Sequence, residues 1–478
     1  MARVTGRVLD PDAGLTADEL VTITGGTVLA RSDRMIRGGA VDSRLVESGN
    51  LFVALPGERT DGHAFVSAAL DAGAAGVLVA RPVEAAGPAG HDATIVQVDD
   101  PLRSLQTVAA AWRERFDPLV VGVTGSIAKT STKEAVATVL GAAMPTLRNE
   151  GNLNNEIGLP LTVLRLRSEH RAAVLEMGMY VGGEIADLAR IGRPEIGVVT
   201  AVQPVHLARI GTIDAIERAK GELVEALPAD GVAVLNADDQ RVRRMAARTL
   251  ARAMTYGFAD DADVRAEAVT SRGPDGMSFE LVAAGDRRHV SIPGLGRLAV
   301  HNALAAAAVG LAAGLAVDRI VDALASGWTA PHRGELIRAG GITIVDDSYN
   351  ASPGSVAAAL ELLSGLAGRR IAVLGEMLEL GEEHETGHRI AGTAAAAVVD
   401  RLIVVGGGAS GIATGARSAG LAAERVASVA DRDEAFALLV RELEPGDVVL
   451  VQASRGIALD QLVEQLAATL GRRDGSRP

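Results

Sequence analysis

The sequence predicts an α/β fold with a mainly parallel sheet, and three observations support that prediction. Short apolar runs alternate with helix-length segments along most of the 478 residues, as in strand–helix–strand units. Nearly half of the residues are hydrophobic, so the chain can bury large cores. The apolar run LVVGVT leads into GSIAKTST, which has the form of a strand followed by a phosphate-binding loop and a helix.

Ten apolar runs are predicted strands, and two interruptions divide them into three groups. AAWRERFDP at 110–118 ends a helix before a proline, and WTAPHRGEL at 328–336 follows an alanine-rich helix. These interruptions predict domains at 1–114, 115–332 and 333–478. The predicted strands lie at 51–55, 76–80, 119–124, 172–178, 196–202, 232–236, 342–347, 370–375, 401–406 and 447–452.

Composition and charge argue against several classes of protein. A net charge of −13 is unlike a general nucleic-acid-binding protein, which needs a basic surface. The absence of cysteine rules out disulfides and thiolate metal sites and fits a reducing cytosol. The N-terminal stretch has no apolar signal region, and the longest uncharged run, 302–317, is shorter than the roughly 20 residues of a membrane span. We therefore expect a soluble cytoplasmic protein.

Lysine is almost absent from this chain, and its few positions are informative. Of 47 basic residues only Lys129, Lys133 and Lys220 are lysines. Lysine differs from arginine because its pKa can be lowered and its amine can react. We therefore predict functional roles for Lys129 and Lys220. For Lys133 we favour a solvent-facing position on the helix that follows the loop.

The loop GSIAKT is a candidate nucleotide site. A P-loop reads G-x-x-x-x-G-K-[ST], and here Val123 and Ala128 replace its two glycines. Backbone N–H groups at a helix start near Ser131 would favour an anion, Lys129 would reach the phosphates, and the Thr130 hydroxyl would bind Mg²⁺. We predict a working site in which Ala128 has a negative φ, because a positive φ costs alanine on the order of 1 kcal/mol or more.

Polar residues at strand ends and in one loop are further candidates. Glu176 ends the run AAVLEMG, where a carboxylate is well placed to hold a metal ion. His206 follows another strand end and can ligate a cation, although a lone histidine more often has a structural role. The asparagines of GNLNNEIGLP at 151–160 suit a neutral polar ligand, or they serve turns and caps. Both interpretations stay open.

Taken in order, these segments resemble the Mur ligase family, ATP-dependent enzymes that join amino acids or peptides to a UDP-sugar peptidoglycan precursor. VDSRLVESGNLFVALPGERTDGHAFV at 41–66 resembles the family's uridine-nucleotide-binding domain. GNLNNEIGLPLTVL, LEMGMYVGGEIADLA, PVHLARIGTIDAIERAKGELVEAL and DDSYNASPGSVAAAL resemble the member that adds D-alanyl-D-alanine to UDP-N-acetylmuramoyl-tripeptide. The resemblance implies an N-terminal domain for the UDP substrate, a central P-loop-type domain for ATP, and a Rossmann-like C-terminal domain. The last would close on ATP and bind the incoming dipeptide.

The resemblance also implies a role for each matching residue. The catalytic residues would be Lys129, Lys220 and His206, with Lys220 carbamylated by CO₂. The ligands of two Mg²⁺ ions would be Thr130, Glu176, His206 and the Lys220 carbamate. The ATP-binding residues would be Gly125, Ser126, Ala128, Lys129, Thr130, Ser131, Asn302, Arg333 and Asp347. The UDP-sugar-peptide would lie along Asp42, Ser43, Arg44, Asn152 and Asn155.

The implied activity is that of an amide ligase that works through an acyl phosphate. The resemblance also implies a monomer that does not bind nucleic acid. The chain departs from the family pattern at Ala128, where glycine is usual, at Ile127, where asparagine is usual, and in QASR at 452–455, where the family reads KGSR.

Two alternatives stay open. One is a Mur-type ligase for another amino acid or pathway, and the other is a weakly active nucleotide-binding homologue that serves as a partner subunit. For Lys220, the alternative to a carbamate is a salt bridge to Glu217 or Glu222.

Overall fold

The computed structural model describes residues 11–57, 60–83, 92–204 and 207–473, which form three β-sheets with helices packed on them. Most neighbouring strands run parallel, so the predicted α/β fold is confirmed. Each of the ten predicted runs contains a strand. Several of these strands end one to three residues earlier than predicted, because the last residues of the run leave the sheet as a loop.

The first sheet precedes the predicted phosphate loop. Its elements are α1 Ala17–Thr24, β1 Thr27–Ala30, β2 Gly39–Ala40, β3 Leu51–Val53, α2 Val66–Asp71, β4 Gly76–Val79, β5 Thr94–Gln97 and α3 Pro101–Arg113. The strand order is β1-β5-β4-β3-β2. Strand β1 runs antiparallel to β5, and the other pairs are parallel.

The second sheet is the largest and carries the predicted loop. Its strands are β6 Leu119–Thr124, β7 Thr146–Arg148, β8 Ala172–Glu176, β9 Ile196–Val199, β10 Val232–Asn236, β11 Arg252–Gly257, β12 Val264–Ser271, β13 Met277–Ala283 and β14 Asp286–Ile292. Its helices are α4 Lys129–Gly141, α5 Gly158–Val163, α6 Glu184–Gly192, α7 Leu207–Ile210, α8 Ile213–Glu225, α9 Gln240–Arg244, α10 Gly296–Ala312 and α11 Val317–Ser326. The order is β14-β13-β12-β11-β10-β9-β6-β8-β7, and only β13 and β14 add antiparallel pairs.

The third sheet is also mainly parallel. Its elements are β15 Glu335–Ala339, β16 Ile342–Asp346, α12 Pro353–Ser364, β17 Arg370–Gly375, α13 His384–Ala396, β18 Arg401–Val405, α14 Ser410–Ser418, β19 Val426–Val429, α15 Arg432–Glu442, β20 Val448–Gln452 and α16 Leu459–Arg473. The order is β15-β16-β20-β17-β18-β19, with β15 antiparallel to β16. Apolar clusters cover both faces of this sheet.

The alanine-rich helix α10 is the centre of the second core. It packs against α4 and the strands from β9 to β13, and small side chains let these elements approach closely. A Cβ on Gly310 of α10 would lie 2.9 Å from Val139 Cγ1 of α4. Burial in this core accounts for the long uncharged run, and none of the helices within the described ranges is long and apolar enough to cross a membrane.

The strand order brings three strand ends together. Strand β6 lies between β8 and β9, and all three are parallel, so the loops after Thr124, Glu176 and Val199 leave the sheet at one edge. In open α/β sheets this carboxyl edge is where ligands bind.

Candidate active site

A cavity of about 930 Å³ lies at this edge, between the second and third sheets. Residues of the phosphate loop, of the loops after β7 and β8, of α10 and of the third sheet line it together. The predicted site residues among its lining are Ser126, Ala128, Lys129, Thr130, Ser131, Asn152, Asn155, Glu176, Lys220, Asn302, Arg333 and Asp347. The fold thus assembles residues that are far apart in the sequence.

The loop between β6 and α4 is fixed against the loop after β9. Gly125 has a φ of 151°, and a Cβ there would lie 1.8 Å from Thr200 Oγ1, so only glycine fits. Thr200 Oγ1 donates to the carbonyl of Ile127 at 2.6 Å. Ser126 Oγ donates to the carbonyl of Gln203 at 3.0 Å and accepts from its N–H at 2.8 Å. The loop therefore has a defined shape.

Ala128 has a φ of 64°, in the left-handed region, so the predicted negative φ is wrong. The residue is the N-cap of α4, and the helix begins at Lys129, two residues before the predicted start. The chain turns from the loop into the helix within one residue, and that turn takes a left-handed conformation. A glycine would adopt it without strain, whereas alanine does so at a cost of about 1–2 kcal/mol.

The start of α4 has the properties of an anion site. The first N–H groups of a helix have no acceptor within the helix, and alanine at the N-cap offers no side-chain acceptor for them. Lys129 Nζ donates to the carbonyl of Gly125 at 2.8 Å. Burial lowers the pKa of Lys129, against the opposing effect of the nearby Glu176 carboxylate. Lys129 and the first N–H groups of α4 therefore lie where an anion would be favoured.

Glu176, at the end of β8, is held by two asparagines. Asn149 Oδ1 accepts from the N–H of Glu176 at 2.9 Å, and Asn149 Nδ2 donates to its carbonyl at 3.2 Å. Asn154 Nδ2 donates to Glu176 Oε1 at 2.7 Å. The side chain is buried, and its other oxygen, Oε2, has no hydrogen-bond partner among the described residues.

That buried acceptor fits a cation. Mg²⁺ in proteins is commonly held by one or two carboxylates together with substrate phosphates, and it retains several waters. Glu176 would supply such a carboxylate, and the buried Thr130 lines the same cavity. No group of three or more His, Asp or Glu side chains spaced for a metal occurs in the described part of the chain.

Lys220, on α8, is buried in the cavity wall with 2% of its surface exposed. Burial lowers its pKa well below the ordinary lysine value, and the charge of Lys129 lowers it further. The structure shows no salt bridge between Lys220 and Glu217 or Glu222. Both carboxylates contact other groups of the described residues. Glu217 pairs with Arg241 and Arg244, whereas Glu222 accepts from backbone N–H groups at the start of α6.

The asparagine loop shows the turn-and-cap use that the sequence left open, and its ligand-binding use stays a prediction. Asn155 Oδ1 accepts from the N–H of Gly158 at 2.8 Å, near the start of α5, which is the turn-and-cap use. Asn152 is exposed and lines the cavity. On the opposite wall, buried Asn302 of α10 accepts from Thr132 Oγ1 at 3.0 Å.

The third sheet contributes a cluster of charged and aromatic groups. The guanidinium of Arg333 lies 4.1 Å from the ring centroid of Tyr349, and Arg455 Nη1 donates to the Tyr349 hydroxyl at 2.9 Å. Gln452 Nε2 donates to Asp347 Oδ2 at 2.6 Å. Burial raises the pKa of Asp347 to about 7, although Arg333 acts in the opposite direction.

One predicted group of described residues is not brought to this cavity, and one predicted residue is not described. Asp42, Ser43 and Arg44 lie after β2, outside the lining of the cavity as described, and the Arg44 side chain pairs with Asp42. Hydrogen bonds from Arg44 lower the pKa of Asp42 to about 2. His206 lies outside the described residues.

Several residues of the site receive no specific role from the sequence, although Asn154 belongs to the asparagine-rich stretch at 151–160. Asn149 and Asn154 hold Glu176, and Tyr349 with Arg455 lines the cavity. The predicted solvent-facing position of Lys133 is wrong, because the side chain is fully buried and donates to the carbonyl of Asn149 at 2.6 Å. For Lys133 the rarity of lysine in the chain is the signal that points to a specific role.

Comparison with known families covers most of the chain in three segments. Residues 36–116 match the model described as "Mur ligase family, catalytic domain". Residues 123–310 match "Mur ligase middle domain", and residues 332–455 match "Mur ligase, glutamate ligase domain".

Individual relatives are similar along nearly their whole length. The chain is 39% identical to the UDP-N-acetylmuramoyl-tripeptide--D-alanyl-D-alanine ligase of Mycobacterium bovis, over 95% of this chain and 98% of that relative. A crystal structure of MurF from Acinetobacter baumannii is 30% identical, with a TM-score of 0.85, over 95% of this chain and 98% of that one. MurF ligase from Thermotoga maritima, solved in complex with ADP, is 29% identical, with a TM-score of 0.80, over 91% of this chain and 98% of that one. With matches of this extent, the chain belongs to the Mur ligase family.

Proposed function

We propose that this protein is an ATP-dependent ligase that joins D-alanyl-D-alanine to UDP-N-acetylmuramoyl-tripeptide in peptidoglycan precursor synthesis. The observation that carries the proposal is the cavity that Lys129, Glu176 and Lys220 share with Arg333, which lies just before the third sheet. A phosphate-binding helix start, a buried carboxylate and a guanidinium are what phosphoryl transfer from ATP to a carboxylate requires. The names of the similar ligases supply the identity of the two substrates.

Each of the three sheets would bind a different part of the substrates. Residues 1–114 would bind the uridine end through Asp42, Ser43 and Arg44, and residues 115–332 would bind the phosphates of ATP. Residues 333–478 would bind the nucleoside and the dipeptide, with Arg333 on the phosphates and Asp347 on the ribose. The similar MurF ligase solved with ADP supports nucleotide binding by this fold.

The reaction follows from the placement of these groups. The terminal carboxylate of the tripeptide attacks the γ-phosphorus of ATP, the bond to the β-phosphate oxygen breaks, and ADP leaves. Lys129 offsets the negative charge that gathers on the transferred group. The amine of the dipeptide then attacks the acyl phosphate carbonyl, loses a proton, and expels phosphate. Residues of the third sheet line the cavity, and closure of this part of the chain over ATP would keep water from the acyl phosphate.

Thr130 and Glu176 would hold Mg²⁺, and a bound Mg²⁺ would screen the charges of the phosphates and of the attacking carboxylate. Lys220 would join them after carbamylation by CO₂, which attaches to a neutral amine. The buried position supports this, because burial favours the neutral amine and two adjacent ammonium groups would repel each other. A carbamate is an anion, so it would offset the charge of Lys129 and be a ligand for a second Mg²⁺.

Phosphate release from ATP tests the proposal. The enzyme is supplied with UDP-N-acetylmuramoyl-tripeptide and either D-alanyl-D-alanine or single amino acids as the acceptor. We expect phosphate release and amide formation with the dipeptide alone. Turnover with a single amino acid but not the dipeptide would indicate a Mur-type ligase of another specificity. Nucleotide binding without turnover on any acceptor would indicate the partner-subunit alternative.

A further inference from the structure

We propose that Lys133 and Asn149 are positioning residues that fix the Glu176 carboxylate relative to the phosphate-binding start of α4. This inference rests on the proposed metal role of Glu176. Neither residue lines the cavity, so both would act through Glu176 and not by contact with substrate. Together they form a buried connection from α4, through the loop after β7, to the end of β8.

Lys133 forms the first half of the connection. Its side chain is fully buried, and Nζ donates to the carbonyl of Asn149 at 2.6 Å. Nζ also pairs with Glu134 Oε1 at 2.8 Å, while the other oxygen of Glu134 lies 2.7 Å from Arg148 Nε. A buried ammonium is costly unless it is paired and hydrogen-bonded. Both of these contacts anchor it to residues at the end of β7 and on α4 itself.

Asn149 forms the second half. Its side chain is fully buried and binds both the N–H and the carbonyl of Glu176, at 2.9 Å and 3.2 Å. Its amide also donates to the carbonyl of Leu153 at 2.8 Å, which fixes the loop that carries Asn154. Asn154 in turn donates to Glu176 Oε1. Asn149 therefore sets the end of β8 directly and the carboxylate orientation through Asn154.

The position of Lys133 on α4 relates the connection to the phosphate-binding start of the helix. Lys129 and Lys133 are four residues apart, so they lie on the same face of the helix, one turn from each other. The helix that presents Lys129 and Thr130 to a phosphate thus also carries the group that holds the Glu176 strand end. The buried contacts of Asn149 fix this part of the loop between the helix and the strand end, so they would hold the distance between phosphate and carboxylate.

The choice of lysine supports the inference. The chain has 44 arginines and three lysines, yet it keeps lysine at this fully buried position. The planar guanidinium of arginine needs more space and presents five donors that must all be satisfied. One compact ammonium fits between the backbone carbonyl of Asn149 and the carboxylate of Glu134, and it has fewer donors that need a partner.

The test compares the affinity for ADP in excess Mg²⁺ with the affinity in EDTA, by calorimetry on the full chain. Lys133→Met removes the ammonium, and Asn149→Ala removes the contacts to Glu176 while leaving Lys133 in place. We expect the Mg²⁺ enhancement of ADP affinity to fall about tenfold in each variant, as for other residues that orient metal ligands. The affinity in EDTA should stay unchanged, because Lys129 and the helix start are intact.

Val136→Ala is the matched control. Val136 is fully buried on the same helix but belongs to the apolar core, so the variant should lose stability and keep the full Mg²⁺ enhancement. The double variant Lys133→Met/Asn149→Ala should lose no more enhancement than either single variant, because the two residues act in one connection. If Lys133→Met does not fold, Asn149→Ala alone tests the positioning role.

The outcomes separate this inference from the function on which it rests. Folded variants with the full Mg²⁺ enhancement would overturn the positioning role and leave the proposed function intact. A loss of affinity that is equal in Mg²⁺ and in EDTA would also overturn it, since that result indicates a general structural role. A wild-type protein whose ADP affinity does not respond to Mg²⁺ would overturn both the metal role of Glu176 and this inference.

Discussion

Ala128 combines an unfavourable backbone conformation with a position at the start of the phosphate-binding helix. Its φ of 64° should cost more than the entropy that glycine would lose on folding. We therefore predict that Ala128→Gly raises the free energy of unfolding by about 1 kcal/mol and binds ADP at least as tightly as the wild type. Urea denaturation and calorimetry measure the two quantities.

Ala284 provides the control for this prediction. It has a φ of 53° in the turn between β13 and β14, away from the cavity lining. Ala284→Gly should give a similar gain in stability with no change in ADP affinity. A loss of stability in Ala128→Gly alongside a gain in Ala284→Gly would show that the loop does not carry the inferred strain.

Asp347 should make stability depend on pH. Its pKa rises from 3.8 to about 7 on folding because of burial, so the folded protein holds a proton between these values that the unfolded chain has lost. The contribution of this group is complete below about pH 4 and is lost as the pH rises through 7. Relative to Asp347→Asn, which does not titrate, the wild type should lose roughly 2–3 kcal/mol between pH 5 and pH 8. A constant difference in the free energy of unfolding across this range would contradict the assignment.

Lys220 should not tolerate arginine. The carbamate requires an amine that becomes neutral, and a guanidinium with a pKa above about 12 cannot supply one. We predict that Lys220→Arg keeps the fold but loses nearly all ligase activity. Lys220→Ala should regain part of its activity when a small carboxylate is added. Near-normal turnover of the arginine variant would exclude the carbamate.

The turn between β6 and α4 depends on one glycine. A Cβ on Gly125 would lie 1.8 Å from Thr200 Oγ1, and the φ of 151° is rare for other residues. We predict that Gly125→Ala costs on the order of 2 kcal/mol of stability and weakens ADP binding at least tenfold. The double variant Gly125→Ala/Thr200→Ala should recover part of the loss, because it removes the clashing hydroxyl.

Gly141, at the other end of α4, is the matched control. Nothing lies within 4 Å of a Cβ placed there, and it occupies the last helical position. Gly141→Ala should raise stability by about 0.4–1 kcal/mol without affecting ADP binding. Equal effects of the two substitutions, measured by urea denaturation, would mean that the loop geometry is not the cause.

Elements with a continuous apolar run are predictable from the sequence, and elements with alternating polarity are not. Strands buried on both faces, such as β6, β8 and β10, read as uninterrupted apolar segments. In strands β12 to β14 buried residues are interspersed with partly or fully exposed ones that are mostly polar, and these strands are absent from the ten predicted runs. Local sequence fixes neither their pairing nor their antiparallel direction.

A residue of the candidate site is predictable when its chemical type points to its role. It is not predictable when its role depends on a contact with a distant residue. Lys129, Glu176 and Lys220 stand out in the sequence because lysine is rare and a carboxylate ends an apolar run. The role of Asn149 depends on a contact with Glu176, 27 residues away. The φ of Ala128 depends on how the loop meets the segment at Thr200. Such long-range contacts are set by the strand order and leave no local signature.

The whole molecule places the second and third sheets on opposite sides of one cavity. Gly354, at the start of α12, approaches so closely that a Cβ would lie 2.2 Å from Gln203 Oε1. Gln203 is also the residue whose backbone holds Ser126 of the phosphate loop. Gln203 thus links the loop that would hold the phosphates to the start of α12 beside the third sheet, which suits a reaction whose intermediate must be kept from water.

Transfer of ¹⁸O tests the formation of an acyl phosphate most directly. The tripeptide substrate is prepared with ¹⁸O in both oxygens of its terminal carboxylate and is converted with ATP and D-alanyl-D-alanine. Because the attacking oxygen stays on phosphorus when the amine displaces phosphate, we predict one ¹⁸O atom in each released phosphate and one in the new amide. Mass spectrometry of both products gives the result. Amide formation with unlabelled phosphate, or with the label in AMP, would contradict the acyl phosphate mechanism.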